Sequence, residues 1–146
     1  MPKNVWYNLL HMTSTGGNCC NYGDRIPGIW FRHSGAKPYM HMTVSQRKGK
    51  TQTAKNFNMD YDTWYKIKIN HDIVGGKGKF MLEINGPTGN PVTWELTTSS
   101  EPFTNAKWYQ SDPWYQSVAP YADIKCLEIT SEAAVQVAKS CPGNFA

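Results

Sequence analysis

Short segments in which apolar and polar residues alternate recur along the chain, separated by Gly, Pro, Asn and Ser. Alternation of period two marks strands with one buried and one exposed face. Tyr65, Ile67 and Ile69 alternate with Lys66, Lys68 and Asn70, and Phe80, Leu82 and Ile84 alternate with Met81, Glu83 and Asn85. Gly75-Gly76 and Gly78 lie between these segments and tolerate positive φ, so the pair reads as an antiparallel hairpin. Three earlier segments begin at Val5, Ile26 and Tyr39, the third setting Met40, Met42 and Val44 against Tyr39, His41 and Thr43. Val92, Trp94 and Leu96 follow the Asn85-Gly86-Pro87 turn, and a segment from Ile124 to Ile129 closes the series.

So many short strands predict an all-β, antiparallel two-sheet sandwich, because one open sheet would leave an apolar face in water. A jelly roll is the natural form, with Ile67, Ile69, Phe80, Leu82, Ile84 and Leu127 in the core. The sandwich is expected over residues 1–130 and a tail over 131–146. The tail from Ser131 to Ser140 is rich in Ala and lacks Gly and Pro, so Ser131 can cap a short helix there, ended by Cys141-Pro142-Gly143.

A length of 146 residues fits one domain, and 40% hydrophobic with 18% charged residues excludes a disordered chain. Apolar runs fall far short of the ~20 residues that span a bilayer, so no membrane insertion is expected. A net charge of +4 is too mild for a dedicated nucleic-acid binder, and no nucleic-acid partner is expected. Cys19, Cys20, Cys126 and Cys141 contain no C-x-x-C pair, which argues against a zinc ribbon. A vicinal pair with two distant partners fits an oxidised, secreted domain with at least one bridge, three pairings being open; four thiols in a reducing compartment is the alternative.

Three strings carry a resemblance. Trp6-Tyr7-Asn8-Leu9-Leu10-His11, Gly23-Asp24-Arg25-Ile26-Pro27-Gly28-Ile29-Trp30-Phe31 and Ser111-Asp112-Pro113-Trp114-Tyr115 resemble laminin-G-like domains of the concanavalin A-like jelly-roll superfamily found in invertebrate extracellular proteins. The likeness extends over roughly residues 5–130. It implies a non-catalytic module that binds glycans, glycosaminoglycans or extracellular proteins, often with calcium at a rim loop. Such domains usually carry a strand or two upstream of the Trp6 segment, so the resemblance also implies an edge supplied from elsewhere.

The aromatic loop with Trp108, Asp112, Trp114 and Tyr115 is the leading candidate for ligand binding, because exposed rings stack on sugar faces while carboxylate and amide groups bond hydroxyls. The same string also fits a loop locked against the core, with Asp112 capping the turn before Pro113. Asp24 and Asp112 are calcium candidates as loop carboxylates, although Asp24 beside Arg25 also reads as an ion pair or turn cap. Lys48 and Lys50, with Arg47, Lys55 and the hairpin lysines, offer charge for an acidic polysaccharide or simply form a solvated face.

His11, His33, His41 and His71 lack metal-binding spacing, so no zinc enzyme is expected. Glu83 and Glu95 on neighbouring strands, or His41 or His71 with a Tyr, are the only hints of catalysis, and no catalytic motif supports either. The expectation is a recognition module for glycan or glycosaminoglycan without a required cofactor. The alternative is an adhesion or self-assembly module acting through protein contacts, with a homo-oligomer as its consequence.

Overall fold

The computed structural model describes residues 4–45, 53–87, 89–98, 103–111, 114, 116–117, 122–126, 128–131 and 134–137. Lys48, Lys50, Asp112, Tyr115, Leu127 and Cys141 lie outside the described residues. Among these residues, eleven strands run in the order β1 (Trp6–Thr13), β2 (Gly28–His33), β3 (Pro38–Val44), β4 (Thr53–Asn58), β5 (Lys66–Val74), β6 (Lys77–Asn85), β7 (Val92–Thr98), β8 (Lys107–Tyr109), β9 (Gln116–Ser117), β10 (Glu128–Ser131) and β11 (Ala134–Val137). No helix occurs among the described residues.

The large sheet has the order β4-β3-β2-β1-β8, all antiparallel, and β9 adds to β1 in parallel at Tyr7 and Asn8. The small sheet is β5-β6-β7. Gly75 and Gly76 have φ of 57° and 74°, so the β5–β6 turn needs two left-handed residues in succession, and glycine adopts that backbone without a Cβ penalty.

The two sheets pack face to face. Met40, Met42 and Val44 of β3, with Ile29 of β2 and Leu10 of β1, are buried in one cluster with Phe80, Leu82 and Ile84 of β6. Trp94 of β7 closes the layer, its ring 6.1 Å from Phe57 on the other sheet and 6.0 Å from Phe80 on its own. Ile67 and Ile69 share this cluster but remain half-buried, because β5 is an edge strand among the described residues. The register of β1 slips between Asn8 and Leu10, which lets Leu9 and Leu10 both sink into the core. The Asn8 amide donates to the carbonyls of Leu10 (3.4 Å) and Ile29 (3.2 Å) across this bulge.

Two features differ from the sequence expectation. The helix foreseen from Ser131 is instead a hairpin, β10–β11, with Ser131 opposite Ala134 and Glu128 opposite Val137, and it straddles the boundary drawn at residue 130. Ile129, Thr130, Val135 and Val137 are β-branched and resist a helical χ1, which outweighs the local Ala content. Strand β4 had no counterpart in the pattern, because it is an edge strand in which Phe57 alone is buried.

Candidate functional site: the outer face of the large sheet

Residues paired in register across a sheet share a face, so the pairings lay out the surface turned away from the core. Its first row is Trp6, Arg32, Tyr39 and Asn58, taken from β1, β2, β3 and β4. The second is Asn8, Trp30, His41 and Asn56, and the third is His11, Gly28, Thr43 and Ala54. Tyr109 of β8 lies beside His11. Aromatic, imidazole and amide side chains dominate, and none of these positions is a carboxylate. The outer face of the small sheet is of a different kind: Lys66, Lys68, Glu83 and Glu95 lie there, with Lys79 3.3 Å from Glu95. That is the ordinary composition of a solvated face.

One end of the large face is closed by the β1–β2 connection. Asp24 organises this loop: Thr15 donates to Oδ1 (2.5 Å), the Asn21 amide donates to Oδ2 (2.8 Å), and His11 Nε2 donates to the Asp24 carbonyl (2.8 Å). Gly17 is needed because a Cβ there would strike the Asp24 carboxylate. Cys19 and Cys20 are joined in a vicinal disulfide within the loop. Cys126 is disulfide-bonded too, and no described cysteine is free. The loop delivers Arg25, whose Nε donates to the Asn18 carbonyl (2.9 Å) and whose guanidinium lies 4.4 Å from the centre of the Trp30 ring. Under this lid His11 is 0% and Trp30 3% exposed. Tyr22 ties the same loop to the small sheet, stacking on Phe103 at 5.1 Å, which in turn packs on His71 at 4.8 Å.

The other end is open. Trp6 packs edge-on to Tyr39 (6.1 Å) and against the His41 ring (4.7 Å), and all three are half-buried. The Arg32 guanidinium lies 4.8 Å from the Trp6 ring centre. His41 Nδ1 donates to the Asn56 side-chain oxygen at 2.5 Å, and Asn56 and Asn58 are exposed. Burial pushes the His41 imidazole below its ordinary pKa; the Asn56 hydrogen bond opposes this, and the nearby Arg25 and Arg32 charges add to it. His41 is therefore neutral at pH 7.

The sequence candidates fall into several places. Trp114, 41% exposed, stands beside the outer face, with its ring 5.3 Å from His11 and 6.1 Å from Tyr109. Trp108, 43% exposed, is paired with Met12 and belongs to the opposite side of the sheet, so the structure separates these two tryptophans. Asp24 is 1% exposed and both of its carboxylate oxygens already accept hydrogen bonds, which makes it the hub of its loop. Among the described residues no group of three or more His, Cys, Asp and Glu side chains converges to hold a metal. Lys55 lies on the large sheet and the hairpin lysines on the small one, while Arg47, Lys48 and Lys50 lie outside the described residues. Glu83 accepts from Asn85 (2.7 Å) and Glu95 pairs with Lys79, both on the solvated face. His71 bonds Thr98 (2.8 Å) at the end of the core, far in the topology from His41.

Trp6, Arg32, Tyr39 and His41 were not singled out together as a ligand site by sequence reasoning. The available signal was that outward positions of the first three strands carry Trp, Arg, Tyr and His where the later hairpin carries Lys and Glu. No family model matches the chain, and neither the curated proteins nor the solved structures give a match.

Proposed function

We propose that this domain is a non-catalytic recognition module that binds a glycan chain along the open half of the outer face of the large sheet. The observation that carries this reading is the row Trp6, Arg32, Tyr39 and Asn58 with His41 and Asn56 behind it. Aromatic rings offer flat apolar platforms for the C–H faces of pyranose rings, and amide and imidazole groups on the same surface bond the hydroxyls. Trp114 flanks the closed end of this face and the Arg25 loop covers it, so the open rows are where a ligand would lie. The resemblance to laminin-G-like jelly rolls supports the same class, and the disulfides at Cys19–Cys20 and Cys126 suit a secreted, extracellular setting.

The test is a glycan array followed by calorimetric titration of the best binder, with Tyr39→Ala compared to the parent chain. Binding that weakens by about tenfold or more in the variant, with unfolding temperature retained, supports the reading; loss of one stacking platform is worth about 1–3 kcal/mol. No glycan binding, together with concentration-dependent self-association, gives the case to the assembly module.

A further inference from the structure

Arg32 differs from the other cations near it. Arg25 is held by Asn18 and Lys37 by Asp60, whereas the Arg32 side chain makes no hydrogen bond or ion pair among the described residues. Its Nε is buried without an acceptor among the described residues, and its guanidinium lies 4.8 Å from the centre of the Trp6 ring. A buried donor left unpaired is costly, so a guanidinium held in this way is stabilised by an acceptor brought from outside. Ring stacking orients the planar fork without using its N–H groups, and a planar fork matches the two oxygens of a carboxylate.

The neighbours fix what kind of molecule brings that carboxylate. Arg32 sits in register between Trp6 and Tyr39, so the cation and two sugar platforms occupy one row. A pyranose laid along this row next to the guanidinium can present a C5 carboxylate to it. None of the outer-face strand positions in the three rows is a carboxylate, and Arg32, half-buried, is the cation of the first row. We infer that the ligand is an acidic glycan and that Arg32 is its specificity residue, pairing with the carboxylate of a hexuronate unit stacked beside Trp6. This rests on the glycan reading above and names the substrate class of that site.

The experiment measures binding of the full chain to polygalacturonate, to alginate, to fully methyl-esterified polygalacturonate and to dextran sulfate. Each is titrated with the parent chain, Arg32→Gln and Arg32→Lys, with near-UV circular dichroism confirming that each variant keeps the parent fold. A charge-assisted pair of about 1.5–3 kcal/mol corresponds to a weakening of about 10- to 150-fold in Arg32→Gln toward at least one of the two uronate polymers. Arg32→Lys recovers only part of this, because an ammonium offers no fork, and esterification of the polygalacturonate costs its binder as much as Arg32→Gln does. Equal binding of the free and esterified polymer, or an Arg32→Gln variant as tight as the parent, overturns the uronate assignment while leaving a neutral-glycan module intact. Dextran sulfate bound more tightly than both uronates, with the same dependence on Arg32, also overturns it in favour of a sulfate ester. Failure of the parent chain to bind any glycan removes both readings together.

Discussion

The indole of Trp30 lies across the backbone of Gly28, occupying the space into which any side chain at that position would project. The two residues are neighbours on the outer face of β2, which is held between β1 and β3. Trp30 is pinned from above by Arg25 and approached edge-on by His11 at 6.0 Å, so the closed end of the face is built on the absence of a Cβ at Gly28.

Gly28→Ala is therefore expected to displace Trp30 and loosen the Arg25 lid. Overpacking of this kind costs about 1–3 kcal/mol. Chemical denaturation followed by tryptophan fluorescence measures the loss, and near-UV circular dichroism reports the altered indole environment. A variant with unchanged stability and spectrum shows that the ring has room to move.

The assignment of faces in the β5–β6 hairpin gives a paired test. Leu82 is 2% exposed at the centre of the core, and Leu82→Ala should cost about 2–5 kcal/mol. Lys68, between Ile67 and Ile69 but on the solvated side, should change stability by no more than about 0.5 kcal/mol when replaced by Ala. Equal losses would reverse the faces.

Stability should also fall in mild acid. Burial lowers the pKa of both His41 and His71 below the ordinary 6.5, so the unfolded chain takes up protons before the folded one. Stability from these two residues is fully present above pH 6.5 and is lost as pH falls through their folded values. Urea midpoints at pH 7.5 and pH 5 measure it, with about pH 6.5 as the onset. The double variant His41→Gln with His71→Gln should flatten the profile over this range, and a profile that keeps its slope places the proton uptake elsewhere.

Asp24 should behave as a loop hub. Asp24→Ala removes the acceptors of the Thr15 hydroxyl and the Asn21 backbone N–H, and a buried donor left unsatisfied costs about 1–3 kcal/mol. Proteolysis within residues 14–24 should accelerate in the variant, while cleavage in the β5–β6 hairpin should not. Unchanged cleavage of the loop would mean that the disulfide and backbone bonds hold it without the carboxylate.

The sequence made half of this architecture legible. Clean alternation in β5 and β6 identified both strands, their turn and their inward-facing residues, because each strand turns one face to the core and the other to solvent, which imposes period two on its side chains. Edge strand β4 has little to bury and leaves almost no pattern, and the β10–β11 hairpin was masked by alanines whose helical preference is weak against β-branched neighbours. The site was harder to see for a different reason. Trp6, Arg32 and Tyr39 come from three strands, and what brings them into one row is register, which alternation alone does not give. Trp108 and Trp114, close in sequence, were expected to act together, but Trp108 is in β8 while Trp114 lies beyond its end, past Ser111 with φ of 68°, so strand alternation does not relate their faces.

That separation supplies the most direct test of the glycan face. Trp6 lies on the outer surface and Trp108 on the other side of the sheet edge, so Trp6→Phe, Trp6→Ala and Trp108→Ala should be titrated against the same acidic polymer, with thermal unfolding measured for each. A glycan bound on the outer face predicts a loss of about tenfold or more in Trp6→Ala, partial retention in Trp6→Phe, and parent-like affinity in Trp108→Ala. Loss of binding in Trp108→Ala with Trp6→Ala unaffected would contradict the account and move the ligand to the rim of the core.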